Sequence, residues 1–397
     1  MRGQDLIGPV VVASLTLAGC AATPPPGSRT ATADPAATRE TKALFASLRR
    51  IAPTATLFGH QDTMAYGYRW RGEPDRSDVK DVAGCFPAVY GWDLNDAFVK
   101  GGETIDPARA ARLRGYIEQG FARGGVVTLS WHQGNPANGG DAWNVAAPAV
   151  ARILPGGDLH DRYLARLDQA AGFLASLKAA DGTPIPVVFR PWHEHSGSWF
   201  WWGRDHATVA DFKALWRMTV THLRDRRGLR NLLYAYSTDV FADEAAYLER
   251  YPGDDVIDVL GFDDYSLTGP ANVDAVAARL RTVTRLARER GKVAAVTETG
   301  LEAIPDPKWW TGVMGRAIDA DADTRGIAWV LVWRNSNPAF DRKNHFYAPY
   351  PGQASAADFK AFTDRADILL ECELPDLYAR AAARCPTRCR TAGRSDW

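Results

Sequence analysis

Between residues 50 and 335 the chain alternates two kinds of pattern. Short apolar, β-branched runs fall at 56–61, 86–92, 126–132, 186–194, 231–237, 256–265, 293–299 and 327–334. Between most of them lie longer stretches in which apolar residues recur every three to four positions, the signature of amphipathic helices. Examples are 107–123, with a proline suited to a first turn, 211–226, 273–290 and, after the last run, 355–370. Eight strands each followed by a helix predict one (β/α)8 TIM barrel over 41–375.

Each run begins apolar and ends polar or aromatic. The first leads into Gly59-His60-Gln61-Asp62, the second ends Gly91-Trp92-Asp93, and the third Ser130-Trp131-His132. The fourth ends Arg190-Pro191-Trp192-His193-Glu194-His195, the sixth Asp263-Asp264-Tyr265, the seventh Thr297-Glu298-Thr299, the eighth Trp333-Arg334-Asn335. A barrel enzyme keeps its active site at the C-terminal ends of its strands. Seven polar ends on one rim are hard to attribute to packing, because buried polar groups need partners.

Composition sharpens this picture in three places. Lysine plus arginine and aspartate plus glutamate each number 47, a formal net charge of zero that argues against a nucleic-acid partner. The 14 tryptophans suggest either a cleft that stacks sugar rings or a tryptophan-rich core. The N-terminus carries an apolar run at 6–17, too short to span a bilayer, that fits a signal peptide over 1–20. It ends in Leu17-Ala18-Gly19-Cys20, which resembles a bacterial lipobox with Cys20 as the acylated residue, and Ala21 rather than Asp follows, favouring the outer membrane. Residues 21–40, rich in Ala, Thr and Pro, read as a tether, and 376–397 as a basic, solvated tail. Cys85, Cys372, Cys385 and Cys389 allow two disulfides in three connectivities, or free buried thiols.

Two carboxylates stand out. Glycoside hydrolysis needs a protonated acid on one side of the scissile bond and an ionised carboxylate on the other. Glu194, among Trp192, Trp199, Phe200, Trp201 and Trp202, suits the acid, because a low dielectric favours the neutral form. Glu298, across the barrel mouth, suits the nucleophile, with Tyr265 and Asp263 expected nearby. The plain alternative for Glu298 is a structural ion pair with Arg190 or Arg334.

The segment 189–203 closely resembles the acid/base region of glycoside hydrolase family 26, the clan A family of β-mannanases. Phe58-Gly59-His60-Gln61-Asp62, Tyr90-Gly91-Trp92-Asp93-Leu94, Gly261-Phe262-Asp263-Asp264-Tyr265, Thr297-Glu298-Thr299-Gly300 and Val332-Trp333-Arg334-Asn335 follow in the same order, so the resemblance covers about 41–370. It implies a retaining mechanism with Glu194 as acid/base and Glu298 as nucleophile. It further implies that His193 contacts the reacting mannose near its 2-hydroxyl, that Tyr265 holds Glu298, and that Trp333 stacks beneath the sugar. Arg334, His132 and His345 would reach sugar hydroxyls, Trp199 would flank the acid, and Trp143 and Asp263 complete the expected substrate site. The implied substrate is β-mannan or manno-oligosaccharide, with no metal and no organic cofactor, and a monomer is expected. Competing readings are a β-1,3-xylanase or mixed-linkage β-glucanase of the same family, or a non-catalytic glycan-binding lipoprotein. The two poised carboxylates argue against the last.

Overall fold

The computed structural model describes residues 31–336 and 345–379. Eight strands form a parallel barrel: β1 (Thr56–Gln61), β2 (Val89–Asp93), β3 (Val126–Ser130), β4 (Val187–Arg190), β5 (Leu232–Thr238), β6 (Val259–Asp264), β7 (Val293–Thr299) and β8 (Trp329–Val332). Each pairs with its neighbour in sequence, and β8 returns to β1, where Leu57 stands beside Trp329 and His60 beside Val332. The barrel is therefore closed. Apart from Asp93, at the end of β2, every strand residue is buried, because helices cover the outside and side chains fill the inside.

Local signals set the helices between. Asp106 caps Pro107–Ala122 by accepting from the N–H groups of Ala108 and Arg109, and Pro107 supplies a first-turn φ. Val273–Arg290 stops at Gly291, whose φ of 67° few other residues would adopt. The helix expected over 211–226 runs as Val209–Val220 and then widens into π-type turns over Thr221–Arg226. The one expected over 355–370 is shorter, Ala356–Thr363, because its last apolar residues serve another purpose: Ile368–Leu369 lies beside β1.

The flanking boundaries also move. Residues 32–40 are not tether. Thr32, Asp34 and Ala37 are buried, Asp34 pairs with Arg230, and helix Arg39–Ile51 begins there. At the other end Leu377 and Tyr378 are buried, with the Tyr378 hydroxyl donating to the Gly125 carbonyl at 2.7 Å, so the solvated tail does not begin at 376. Cys85 and Cys372 form a disulfide across 287 residues of sequence, which narrows the open choices. Cys20, Cys385 and Cys389 lie outside the described residues. No described helix is long and apolar enough to cross a membrane.

The tryptophan surplus is mostly core. Ten of the 14, including Trp131, Trp192, Trp202, Trp216, Trp309 and Trp310, are buried. Only Trp143 and Trp199 are strongly exposed among the described residues, and Trp333 is half-buried.

Candidate active site

The rim of the barrel is built where strands end. The apolar run at 186–194 stops pairing at Arg190, because Trp192 and Glu194 take left-handed φ values of 57° and 52°. Non-glycine residues there are strained and need support from their surroundings. Trp192 donates to Thr219 and Trp202 to the His193 carbonyl, at 3.2 and 2.9 Å, which locks this turn. The turn aims Glu194 into the barrel mouth, where the Trp199 indole N–H donates to it at 2.7 Å. Gly197 makes room: a Cβ there would stand 2.3 Å from the Trp199 ring. Burial, then the charges of Asp263 and Glu298, push the Glu194 carboxyl well above the usual range, and the Trp199 bond only partly offsets them.

Glu298 reaches the same space from inside β7. Tyr265, one residue past β6, donates its hydroxyl to Glu298 at 2.6 Å, and Arg190 donates to the other oxygen at 2.5 Å. The ion pair with Arg190, set out above as the plain alternative, is thus real. It coexists with the position at the mouth. Oxygens of Glu194, Asp263 and Glu298 lie within 4.8 Å of one another, and Arg190 supplies positive charge between the last two.

Two residues expected to touch sugar are buried in this structure. Asp263 is fully buried: it accepts from Arg190 at 2.5 Å and from Ser237 and Thr297 at 2.8 and 2.7 Å, so it orients Arg190 and does not face the cleft. A register shift between Phe262 and Asp263 puts Asp263 beside Glu298 and turns it inward. His193 is also fully buried, behind His132, with their Nε2 atoms 3.0 Å apart. His132 is the partly exposed member. Its Nδ1 bonds Asp93, and Trp143 lies flat on its ring, centroids 5.2 Å apart.

Trp333 follows β8, its ring 6.0 Å from that of His132. Arg334 bonds Ser336 at 3.0 Å and turns toward a neighbouring pocket of roughly 720 Å³, shared with Asp62, Tyr66, Trp92, Asp96 and Tyr116. Burial and the Asp96 charge push Asp62 up to about 7. His345 bonds Glu302 at 2.8 Å and stands edge-on to Tyr347, which in turn meets Tyr265. Two residues absent from the expected site belong to it, Arg190 and Asp93. Both were visible as polar strand ends, the signal that marked the others.

The glycosyl hydrolase family 26 model matches residues 33–336. A mannan endo-1,4-β-mannosidase of Bifidobacterium adolescentis is 35% identical over 353 residues, 83% of this chain but 34% of the relative. One of Bacillus subtilis is 29% identical and covers 49% of this chain and 54% of the relative. The chain thus spans a third to a little over half of the length of these relatives. A solved family 26 β-mannanase of Bacteroides ovatus superposes with a TM-score of 0.80 at 45% identity, covering 86% of this chain and 97% of that one. An endo-β-1,4-mannanase of Cellulomonas fimi gives 0.81 at 35%, covering 90% and 81%. With the family model spanning most of the barrel and the rim residues in place, the chain belongs to glycosyl hydrolase family 26.

Proposed function

We propose that this protein is a retaining β-1,4-mannanase, with Glu298 as nucleophile and Glu194 as acid/base. One observation carries the reading: the two carboxylates approach within 4.8 Å in opposite environments. Retaining enzymes hold their carboxyl groups about 5–5.5 Å apart, whereas inverting ones leave room for a water between them. Glu194, kept protonated by burial, gives its proton to the leaving oxygen. Glu298, oriented by Arg190 and Tyr265, forms the covalent bond to the anomeric carbon. Glu194, now ionised, then draws the proton from the attacking water. Mannan as substrate is supported by the printed activities of the relatives. Proton NMR of products released from mannotetraose tests the mechanism: the β-anomer is expected first, and early α-anomer overturns it.

The same proposal places the enzyme at the outer membrane, held by acyl chains on Cys20. The lipobox-like Leu17-Ala18-Gly19-Cys20 supports this, and so does the Cys85–Cys372 disulfide, which suits an oxidising compartment. Cys20→Ser is expected to move the protein from the membrane to the aqueous fraction. Wild-type protein found wholly in the aqueous fraction would refute the anchor.

A further inference from the structure

Arg250, just past helix Glu244–Leu248, is 3% exposed, and no carboxylate among the described residues pairs with it. Its neighbour Glu249 pairs instead with the exposed Arg204 side chain, at 3.8 Å. Taking a guanidinium out of water without a counter-ion is costly, so the bonds it does make carry the burden of keeping it there. Those bonds go to backbone. Nη2 donates to the Arg204 carbonyl at 3.0 Å and to the Ala207 carbonyl at 2.7 Å, while Nε and Nη1 bond nothing among the described residues. Both carbonyls belong to the loop that leads from Glu194 to helix Val209–Val220. The guanidinium also stands 5.5 Å from the centre of the Phe212 ring, on that helix.

From there two short paths lead to Glu194. Along the first, the Arg204 N–H donates to the Gly197 carbonyl at 2.7 Å, and the Gly197 N–H to the Glu194 carbonyl at 2.9 Å. The Trp199 ring packs on Gly197, and its indole N–H reaches the Glu194 carboxyl. Gly203 closes on the same point, since a Cβ there would stand 2.4 Å from the Gly197 oxygen. The second path is packing: the Phe212 ring that meets the guanidinium also meets the ring of His195, the residue after Glu194, centroids 4.2 Å apart. The near end of the loop is tied separately. The Glu194 N–H donates to the Ser237 carbonyl in β5 at 3.0 Å, and the Asp239 N–H to the Ser196 hydroxyl at 2.9 Å. A left-handed glutamate persists only while its surroundings hold it, and the far end of its loop is held from Arg250. We propose that Arg250 is a positioning residue for the acid/base: by tying the loop at Arg204 and Ala207 it sets where the Glu194 carboxyl and its Trp199 donor stand. This rests on the acid role given to Glu194 above.

The test compares two substrates that differ in their need for an acid. Mannotetraose needs a proton on its leaving oxygen, whereas dinitrophenyl β-mannobioside does not, and kcat/KM reports the first chemical step on both. Arg250→Met, in the full chain, keeps the apolar stem and removes the donors. Its kcat/KM on mannotetraose is expected to fall about tenfold per folded molecule, while that on the aryl substrate stays within about twofold, because a misaimed acid harms only the step that uses it. Arg250→Lys, which keeps the charge without the planar fork, is expected to recover part of the loss on mannotetraose. Gly203→Ala strains the same loop without touching Arg250 and is expected to show the same split. Equal loss on both substrates, or no loss on either, overturns the proposal whatever the melting temperature, since a purely structural Arg250 does not distinguish leaving groups. Should Arg250→Met fail to fold, Arg250→Lys and Gly203→Ala decide by the same split. Glu194→Ala, measured alongside, separates the two claims. If it loses both substrates equally, the acid role of Glu194 falls; if it shows the split and the Arg250 variants do not, the positioning role alone falls.

Discussion

Glu194 and Glu298 are the same side chain on opposite lips of one cleft, and almost everything around them differs. Glu194 stands on a left-handed turn outside any strand, among indoles, with a single donor and no bonded cation among the described residues. Glu298 stands inside a fully buried strand, with a guanidinium on one oxygen and a phenol on the other. Burial without a counter-charge favours the protonated acid at Glu194, whereas Glu298 has a fixed guanidinium against it. The backbone difference matters equally. A strand residue has its direction set by pairing on both sides, whereas the turn bearing Glu194 depends on Trp192, Trp199, Trp202 and Gly197 to hold its aim.

The comparison breaks most completely at Glu298. Glu298→Gln leaves the shape and removes the covalent step, so kcat on mannan is expected to fall about 10⁴-fold or more, roughly 5–6 kcal/mol of barrier. Steady-state rates with the folded fraction checked by circular dichroism measure it, and retention of even a tenth of the activity would exclude the nucleophile role.

Glu194→Ala tests the other lip and is expected to distinguish substrates. Mannan, whose leaving group needs a proton, loses about 10²–10⁴-fold. An aryl mannobioside with a good leaving group keeps its first step and shows a phenol burst followed by slow turnover. Equal loss on both, with no burst, would place the acid elsewhere.

Trp199→Phe makes the smallest change and sharpens the contrast. It deletes the one hydrogen bond that favours the charged form of Glu194, so that carboxyl holds its proton to higher pH. The basic limb of kcat/KM, set by the need for a protonated acid, is expected to move up by on the order of half a unit, with melting temperature little changed because phenylalanine keeps much of the packing of a ring that is 40% exposed. A downward shift would contradict the environment described for Glu194.

Much of this was legible along the chain. Strands β1 and β7 and helix Val273–Arg290 coincide with the stretches expected from periodicity, because strand and helix periods are local properties of neighbouring side chains. Glu194, Glu298, Tyr265 and Trp199 stand together at the mouth because a parallel barrel brings all C-terminal strand ends to one side. Less local features were missed. The depth of His193 and Asp263, the Asp93–His132 contact and the double use of Arg190 depend on which neighbours closure delivers. The burial of Thr32, Asp34 and Ala37 depends on partners far along the chain, among them Arg230, 196 residues from Asp34, and Asp258, which the Ala33 N–H reaches across 225 residues.

The sequence by itself determined the order of strands and helices, the fold class and the identity of the rim residues, since each follows from hydrophobic period and from chain direction. Only the tertiary structure decided which rim residues face the cleft and which stand behind it. Two left-handed residues after β4 and a register shift in β6 reverse side-chain directions that simple alternation would assign, and the charge on each carboxylate is then set by the groups that closure places against it.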